Sequence, residues 1–180
     1  MAGRSEWTST SLPYVRPQGT EQADPWAEEA AQSGRVGTHV LREVAEITPP
    51  EDIAAALKLS RDDTVIVRRR VVLLDDEPVE LADSYYPAAI AGGTRLADPR
   101  KVPGGATKLL ADLGYHPILV EEDITARPAS DEERQLLQIP DLDWVLVLTR
   151  RSMAQNGTPV EVMQMSMVAH GRHLRYSLAL

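Results

Sequence analysis

Residues 51–86 read EDIAAALKLSRDDTVIVRRRVVLLDDEPVELADSYY, and residues 131–167 read DEERQLLQIPDLDWVLVLTRRSMAQNGTPVEVMQMSM. Leu57, Leu59, Asp63, Val65, Val67 and Arg70 recur 80 residues later as Leu137, Ile139, Asp143, Val145, Val147 and Arg150. Past the turn the offset becomes 81, and Pro78-Val79-Glu80 returns as Pro159-Val160-Glu161. Any two helix-plus-hairpin segments look somewhat alike, but six matches in register favour duplication. Each copy reads as a short helix, a strand, a turn and a return strand. The β-branched runs around Asp75-Asp76-Glu77 and Asn156-Gly157 are hairpin signals. Ser130 with Glu133 makes a capping box, and Thr48 with Glu51 is expected to make another. Two such units predict an α+β fold. Its centre is one antiparallel sheet with an internal helix-plus-hairpin repeat, flanked by helices.

The remaining elements fall around this repeat. Strands are expected at 38–47 and 117–126, with a last edge strand at 174–178. Gly104 and Gly114 bracket a helix. Asp24 caps a short helix that starts at Pro25 and ends before Gly34. The first 25 residues show no apolar period and read as an irregular arm, pinned by Trp7 and Tyr14.

The 180 residues suit one domain with a sizeable core. Lys plus Arg is 19 and Asp plus Glu is 27, a net charge of −8. Such an acidic chain is poorly suited to binding DNA along its own length. The absence of cysteine excludes disulfides, thiolate zinc sites and cysteine nucleophiles. No apolar run approaches the ~20 residues of a membrane span, and the polar N-terminus has no signal-peptide core. The expected setting is cytoplasmic. With no Phe, three Trp and five Tyr, stacking platforms for single strands are not expected.

Strand periodicity places Ile66, Arg68, Arg70, Val72 and Leu74 on one face of a largely apolar strand. An arginine there needs an anionic partner. Arg70 and its repeat equivalent Arg150 admit two readings. One is a bidentate grip on a ligand carboxylate or phosphate. The other, commoner in hairpins, is an ion pair with Glu80, Glu161 or Asp83. Gly104-Gly105-Ala106-Thr107 at a helix start is either an anion site or a plain helix entry, and it lacks P-loop spacing. The four histidines, His39, His116, His170 and His173, form no metal pattern, so no metal or cofactor is expected. No G-x-S-x-G elbow places a nucleophile. Asp75-Asp76-Glu77 is more simply a solvated turn than a cation site. Met163, Met165 and Met167 alternate on one strand face, as sheet core or as an adaptable pocket lining.

From Thr38 onward an ordered set of pieces is similar to a known family. Arg68-Arg69-Arg70 runs into Asp75-Asp76-Glu77-Pro78, followed by Ser84-Tyr85-Tyr86-Pro87. Gly104-Gly105-Ala106-Thr107 with Leu109-Leu110 comes next, then Leu137-Gln138-Ile139-Pro140 and Val145-Leu146-Val147. Asn156-Gly157-Thr158-Pro159-Val160-Glu161 and Gly171-Arg172-His173-Leu174-Arg175-Tyr176 complete the set. Together they resemble the UTRA domain, the effector-binding module of GntR-type transcription regulators of the HutC subfamily. The resemblance implies a chorismate-lyase-like fold, a homodimer, and a small-molecule effector held between sheet and helices. It implies ligand-binding roles for Arg70 (an anionic group), Gly105 and Thr107 (the helix-entry loop), Glu161 (hydroxyls or amines) and Met167 (lining). Ser84, in a matching piece, joins this set. Val72, Ala82 and Gly105 depart from the pattern of sugar-phosphate sensors, which favours a less polar, carboxylate-bearing molecule. The function implied is sensing without catalysis. A chorismate-lyase-like enzyme using Arg70, Arg150 and Glu161 is the rival, and a pure dimerisation scaffold the third reading.

The expected division is an N-terminal arm with a short helix, 1–37, and a UTRA-like ligand-binding domain, 38–180. Thirty-seven residues are fewer than a folded winged helix needs, and they hold no basic recognition helix. A free-standing or truncated UTRA protein is therefore expected. It would make no direct DNA or membrane contact, and a full-length GntR-type regulator is its candidate partner.

Overall fold

The computed structural model describes residues 7–15 and 24–177. In chain order its elements begin with β1 (Trp7–Ser9), α1 (Leu12–Val15), α2 (Pro25–Gln32), β2 (Gly37–Ile47) and α3 (Glu51–Leu57). Then come β3 (Val65–Leu74), β4 (Glu77–Pro87), α4 (Ala88–Ala91), a 3-10 turn (Arg95–Ala97) and α5 (Gly105–Asp112). The chain continues with β5 (Pro117–Pro128), α6 (Asp131–Leu137), β6 (Trp144–Ala154), β7 (Pro159–Val168) and β8 (Arg172–Leu174).

Six strands form one antiparallel sheet in the order β2-β3-β4-β7-β6-β5. This is the expected repeat laid out as two mirrored half-sheets that meet at β4 and β7. In that central pair Asp83 faces Gln164, its own repeat equivalent, so the pseudo-twofold axis passes between them. The likeness reaches the backbone. Both repeat helices end on a left-handed residue, Lys58 (φ 56°) and Gln138 (φ 53°).

The helices α3 and α6 cover one face of the sheet. Ile53 and Leu57 are buried with Val65, Val67, Tyr85 and Val162. Leu137 and Ile139 are buried with Val145 and Val168. The other face carries α4, the 3-10 turn and α5 over Ile66, Tyr86, Leu96, Leu110 and Val160. Beside them α2 packs Trp26 and Ala30 on Leu74 and Val79. Asp24 caps α2 by accepting from the Trp26 amide at 3.0 Å, as the sequence indicates. The Trp26 indole donates to the Leu73 carbonyl at 2.8 Å, locking α2 onto the β3–β4 corner. Gly37 permits this approach, because a Cβ there would lie 2.7 Å from the Trp26 carbonyl.

Several expectations are corrected. α3 is capped by Pro50 with no side-chain bond, so Thr48 and Glu51 make no capping box. Two prolines set the entry, and Glu51 and Asp52 complement its dipole instead. The box at Ser130 and Glu133 forms in both directions. The arm holds β1 and α1 rather than irregular chain alone, and the final strand is β8, not 174–178. β1 pairs with β8 in parallel, Trp7 opposite Arg172 and Ser9 opposite Leu174. Neither piece has an apolar period because each is short and stands apart from the main sheet. Tyr14 packs against the Trp26 cluster. The Trp7 side chain and Leu178 lie outside the described residues.

Candidate ligand-binding pocket

The helix-bearing side that holds α2 and α5 is not filled. Between it and the sheet lies a cavity of about 200 Å³. β7 supplies alternate residues to its floor: Glu161, Met163, Met165 and Met167. Both readings of the methionine face therefore hold at once, because Met165 and Met167 are buried and also line the cavity. The entry of α5 forms one wall, and Ser9, Thr10, Ser11, Pro13, Tyr14 and Val15 of the arm form another.

The six residues singled out in the sequence converge here. Arg70, Gly105, Thr107, Glu161 and Met167 line the cavity. Ser84 is fully buried just beneath and accepts a hydrogen bond from Arg70 Nη2 at 3.0 Å. α5 starts at Gly104 without a side-chain cap. Gly104 and Gly105 have φ of 75° and 79°, a region that favours glycine. A Cβ on Gly105 would meet nothing within 4 Å. The Gly105 amide is spent on the Val102 carbonyl at 3.0 Å. The next amides, Ala106 and Thr107, open the helix, where intrahelical acceptors are lacking.

The three consecutive arginines have three different environments. Arg68, buried, donates to the carbonyls of Leu96 at 2.8 Å, Asp98 at 2.7 Å and Arg100 at 2.8 Å. It ties the loop that leads into α5 to the sheet. Arg69, on the opposite face, lies 3.4 Å from Glu43 and 3.6 Å from Asp83. Among the described residues Arg70 reaches Ser84 and, at 4.0 Å, the Met163 sulfur, and its buried Nε has no hydrogen-bond partner.

The ion pair expected of Arg70 with Glu80, Glu161 or Asp83 is therefore not made. Glu80 is bound by Arg172 at 2.6 Å, and Asp83 faces Arg69. Arg150 does form a pair, with Glu122 at 2.6 Å. Glu122 belongs to β5, a strand outside the hairpin that the sequence pointed to. Register explains the difference: Arg150 stands opposite Glu122, whereas Arg70 stands opposite Leu41.

Other groups at the cavity were given no ligand-binding role from the sequence. Tyr86, fully buried, donates to Glu161 Oε1 at 2.6 Å. Burial first, then the Glu161 charge, push its hydroxyl well above the usual tyrosine value, so it stays a donor. Ser84, two residues back on the same strand, acts in the opposite direction and tempers that rise. Two hydrogen-bonded pairs, Arg70–Ser84 and Tyr86–Glu161, therefore stand side by side on the floor between β3 and β7. Glu122 accepts from Ser11 of the arm and from Tyr176, each at 2.8 Å. Burial alone would raise its carboxyl, but Arg150 and these bonds outweigh burial and hold it below the usual carboxylate range. His39, 3.6 Å from Asp24, is lowered by burial. The Tyr86–Glu161 and Glu122 pairs show in no linear pattern, since each joins residues 28 or more apart. Among the described residues no group of three or more His, Cys, Asp or Glu is placed to hold a metal ion. Among them, too, no helix is long and apolar enough to cross a membrane.

Comparison with known proteins gives consistent findings. The profile of the UTRA domain matches residues 31–170. An uncharacterised HTH-type transcriptional regulator of Streptomyces coelicolor is 36% identical over 121 residues. That match takes in 66% of this chain and 45% of the regulator, so the chain spans less than half the length of this relative. A solved protein assigned to the GntR family of transcriptional regulators superposes with a TM-score of 0.82 at 23% identity. That superposition covers 98% of this chain and 71% of the other. The effector domain of PhnF from Mycobacterium smegmatis gives a TM-score of 0.74 at 18% identity, over 92% of this chain and 99% of that one. These structural likenesses bear on the fold, which is the α+β, chorismate-lyase-like architecture expected from the sequence.

Proposed function

The chain belongs to the UTRA domain family, and on that footing we propose that it is a small-molecule sensor serving GntR-type transcription control, of the HutC subfamily. One observation carries the reading. Arg70 lies over a cavity with no carboxylate partner among the described residues, beside a helix entry that no side chain caps. Arg70 is half-buried, and a guanidinium partly removed from water with no acid beside it gains a charge-assisted hydrogen bond when an anion arrives. Arg70, Ser84, Gly105, Thr107, Glu161 and Met167 form the proposed binding set.

The role is proposed as non-catalytic and cytoplasmic. Residues 38–180 are the proposed ligand-binding unit, with 1–37 as an N-terminal arm that carries a short helix. DNA contact belongs to another protein or segment, and a full-length GntR-type regulator is the proposed partner. A homodimer is part of the same proposal. The outer strand β5 supports it, since an unpaired edge is a ready site for strand addition and Ile118 and Leu119 are exposed along it.

Scanning fluorimetry with a panel of carboxylate and phosphate metabolites tests the sensor. A true effector at about 100 times its Kd raises Tm by roughly 5–10 °C. The rise is expected to vanish in Arg70→Leu. No shift with any metabolite class, together with a crystal structure whose pocket is filled by its own side chains, would overturn the reading. Pyruvate released from chorismate would replace it with the enzyme.

A further inference from the structure

We propose that the pocket is built for a zwitterion, a compact amino acid with an apolar side chain. The inference rests on the sensor reading above and names the ligand class of that same site. It comes from matching the charges around the cavity. Arg150 is paired with Glu122, Arg172 with Glu80, and His39 faces Asp24. Two ionic groups remain. Arg70 has no acidic partner among the described residues, and its Nε makes no hydrogen bond. Glu161, only 5% exposed, accepts from neutral Tyr86 and has no cationic partner among the described residues. One unmatched cation and one unmatched anion face the same cavity.

Their spacing suits a small molecule. The Arg70 guanidinium is held over Ser84 and Met163, which face each other in register. Tyr86 and Glu161 lie two residues farther along the same two strands, about 7 Å at the usual strand rise. That gap accepts a carboxylate and an ammonium on neighbouring atoms, each with one charge-assisted hydrogen bond of about 2.8 Å. The carboxylate meets the Arg70 guanidinium, and the ammonium donates to Glu161. A phosphate dianion would instead place extra negative charge beside Glu161 and Glu80 with nothing to match it. The remaining floor is apolar: Ala82, Leu148, Met165 and Met167 form one buried cluster with Val72 at its edge. Thioethers adapt to a hydrocarbon side chain. At about 200 Å³ the cavity falls below the ~300–1,000 Å³ of drug-sized sites.

The test is isothermal titration calorimetry on the full chain. The probes are L-valine, L-leucine, L-isoleucine, L-methionine and L-phenylalanine, then 4-methylpentanoate, 3-methylbutylamine and glucose 6-phosphate. At least one amino acid is expected to bind. The acid without its amine and the amine without its acid should each bind at least about 30-fold more weakly, because each leaves one charge of the pocket unpaired. Glu161→Gln should weaken the amino acid about tenfold or more and leave the amine-free acid nearly unchanged. Equal binding of 4-methylpentanoate, or tighter binding of glucose 6-phosphate, overturns the zwitterion and leaves the sensor standing. No binding by any of the five amino acids also overturns the zwitterion, and the broader fluorimetry panel then decides the sensor separately.

Discussion

Arg150 and Glu122 face each other across β6 and β5 and bond at 2.6 Å, whereas Arg70, the repeat equivalent of Arg150, faces Leu41 across β3 and β2. The two halves kept the arginine, and only one has the acid. One copy therefore carries a closed ion pair, and the other presents its cation to the cavity. The asymmetry of an otherwise symmetric sheet marks the site.

Supplying the missing acid should close the site. Leu41→Glu places a carboxylate opposite Arg70, as Glu122 stands opposite Arg150. The variant is expected to fold, and its ligand-induced rise in Tm should fall below about 1 °C, against the several degrees a bound effector provides. Scanning fluorimetry with and without effector checks it.

Breaking the closed pair should be expensive. Glu122→Ala strands Arg150, which is 6% exposed, and removes the acceptor of Ser11 and Tyr176. Removing one partner of a buried pair costs about 3–5 kcal/mol. Urea unfolding measures this loss, and limited proteolysis should show faster cleavage within the arm.

Arg68 acts on the pocket from a distance. Arg68→Met leaves the carbonyls of Leu96, Asp98 and Arg100 without their donor. An unsatisfied buried acceptor costs about 1–3 kcal/mol. We expect a total of a few kcal/mol in urea unfolding and faster hydrogen exchange over 95–104. Effector affinity should fall as well, because that loop places the Gly104–Gly105 entry.

Much of this architecture is legible in the sequence, for a physical reason. The repeat places Leu57 with Leu137 and Val65 with Val145, and strand alternation then sorts each residue to a face. Strand period alone puts Arg70, Ser84, Glu161 and Met167 on one side of the sheet, the side on which Gly105 and Thr107 of α5 line the same cavity. What the sequence hides is lateral pairing. Nothing linear tells that Arg70 meets Leu41 or that Arg150 meets Glu122, since both follow from register. The Thr48 capping box fails because Pro49 and Pro50 set the helix entry first. β1 and β8 escape a periodicity search because each is three residues long.

Acid should weaken the fold through Glu133. Hydrogen bonds from Arg127 at 2.6 and 2.8 Å lead the effects that pull its carboxyl from 4.5 to about 2. A depressed carboxyl stabilises the fold fully above its unfolded value of 4.5, and the contribution is lost as pH falls toward about 2. Glu133→Gln should therefore lower stability at neutral pH. It should also flatten the dependence of unfolding free energy on pH below 4.5, as urea titrations at stepped pH would show.

Native mass spectrometry of the protein, purified gently from its own host, tests the central claim most directly. The account predicts a co-purifying small molecule, one per chain, that is absent from Arg70→Leu prepared in the same way. A chain that is empty under the mildest activation, and whose mass and Tm no metabolite changes, would contradict it.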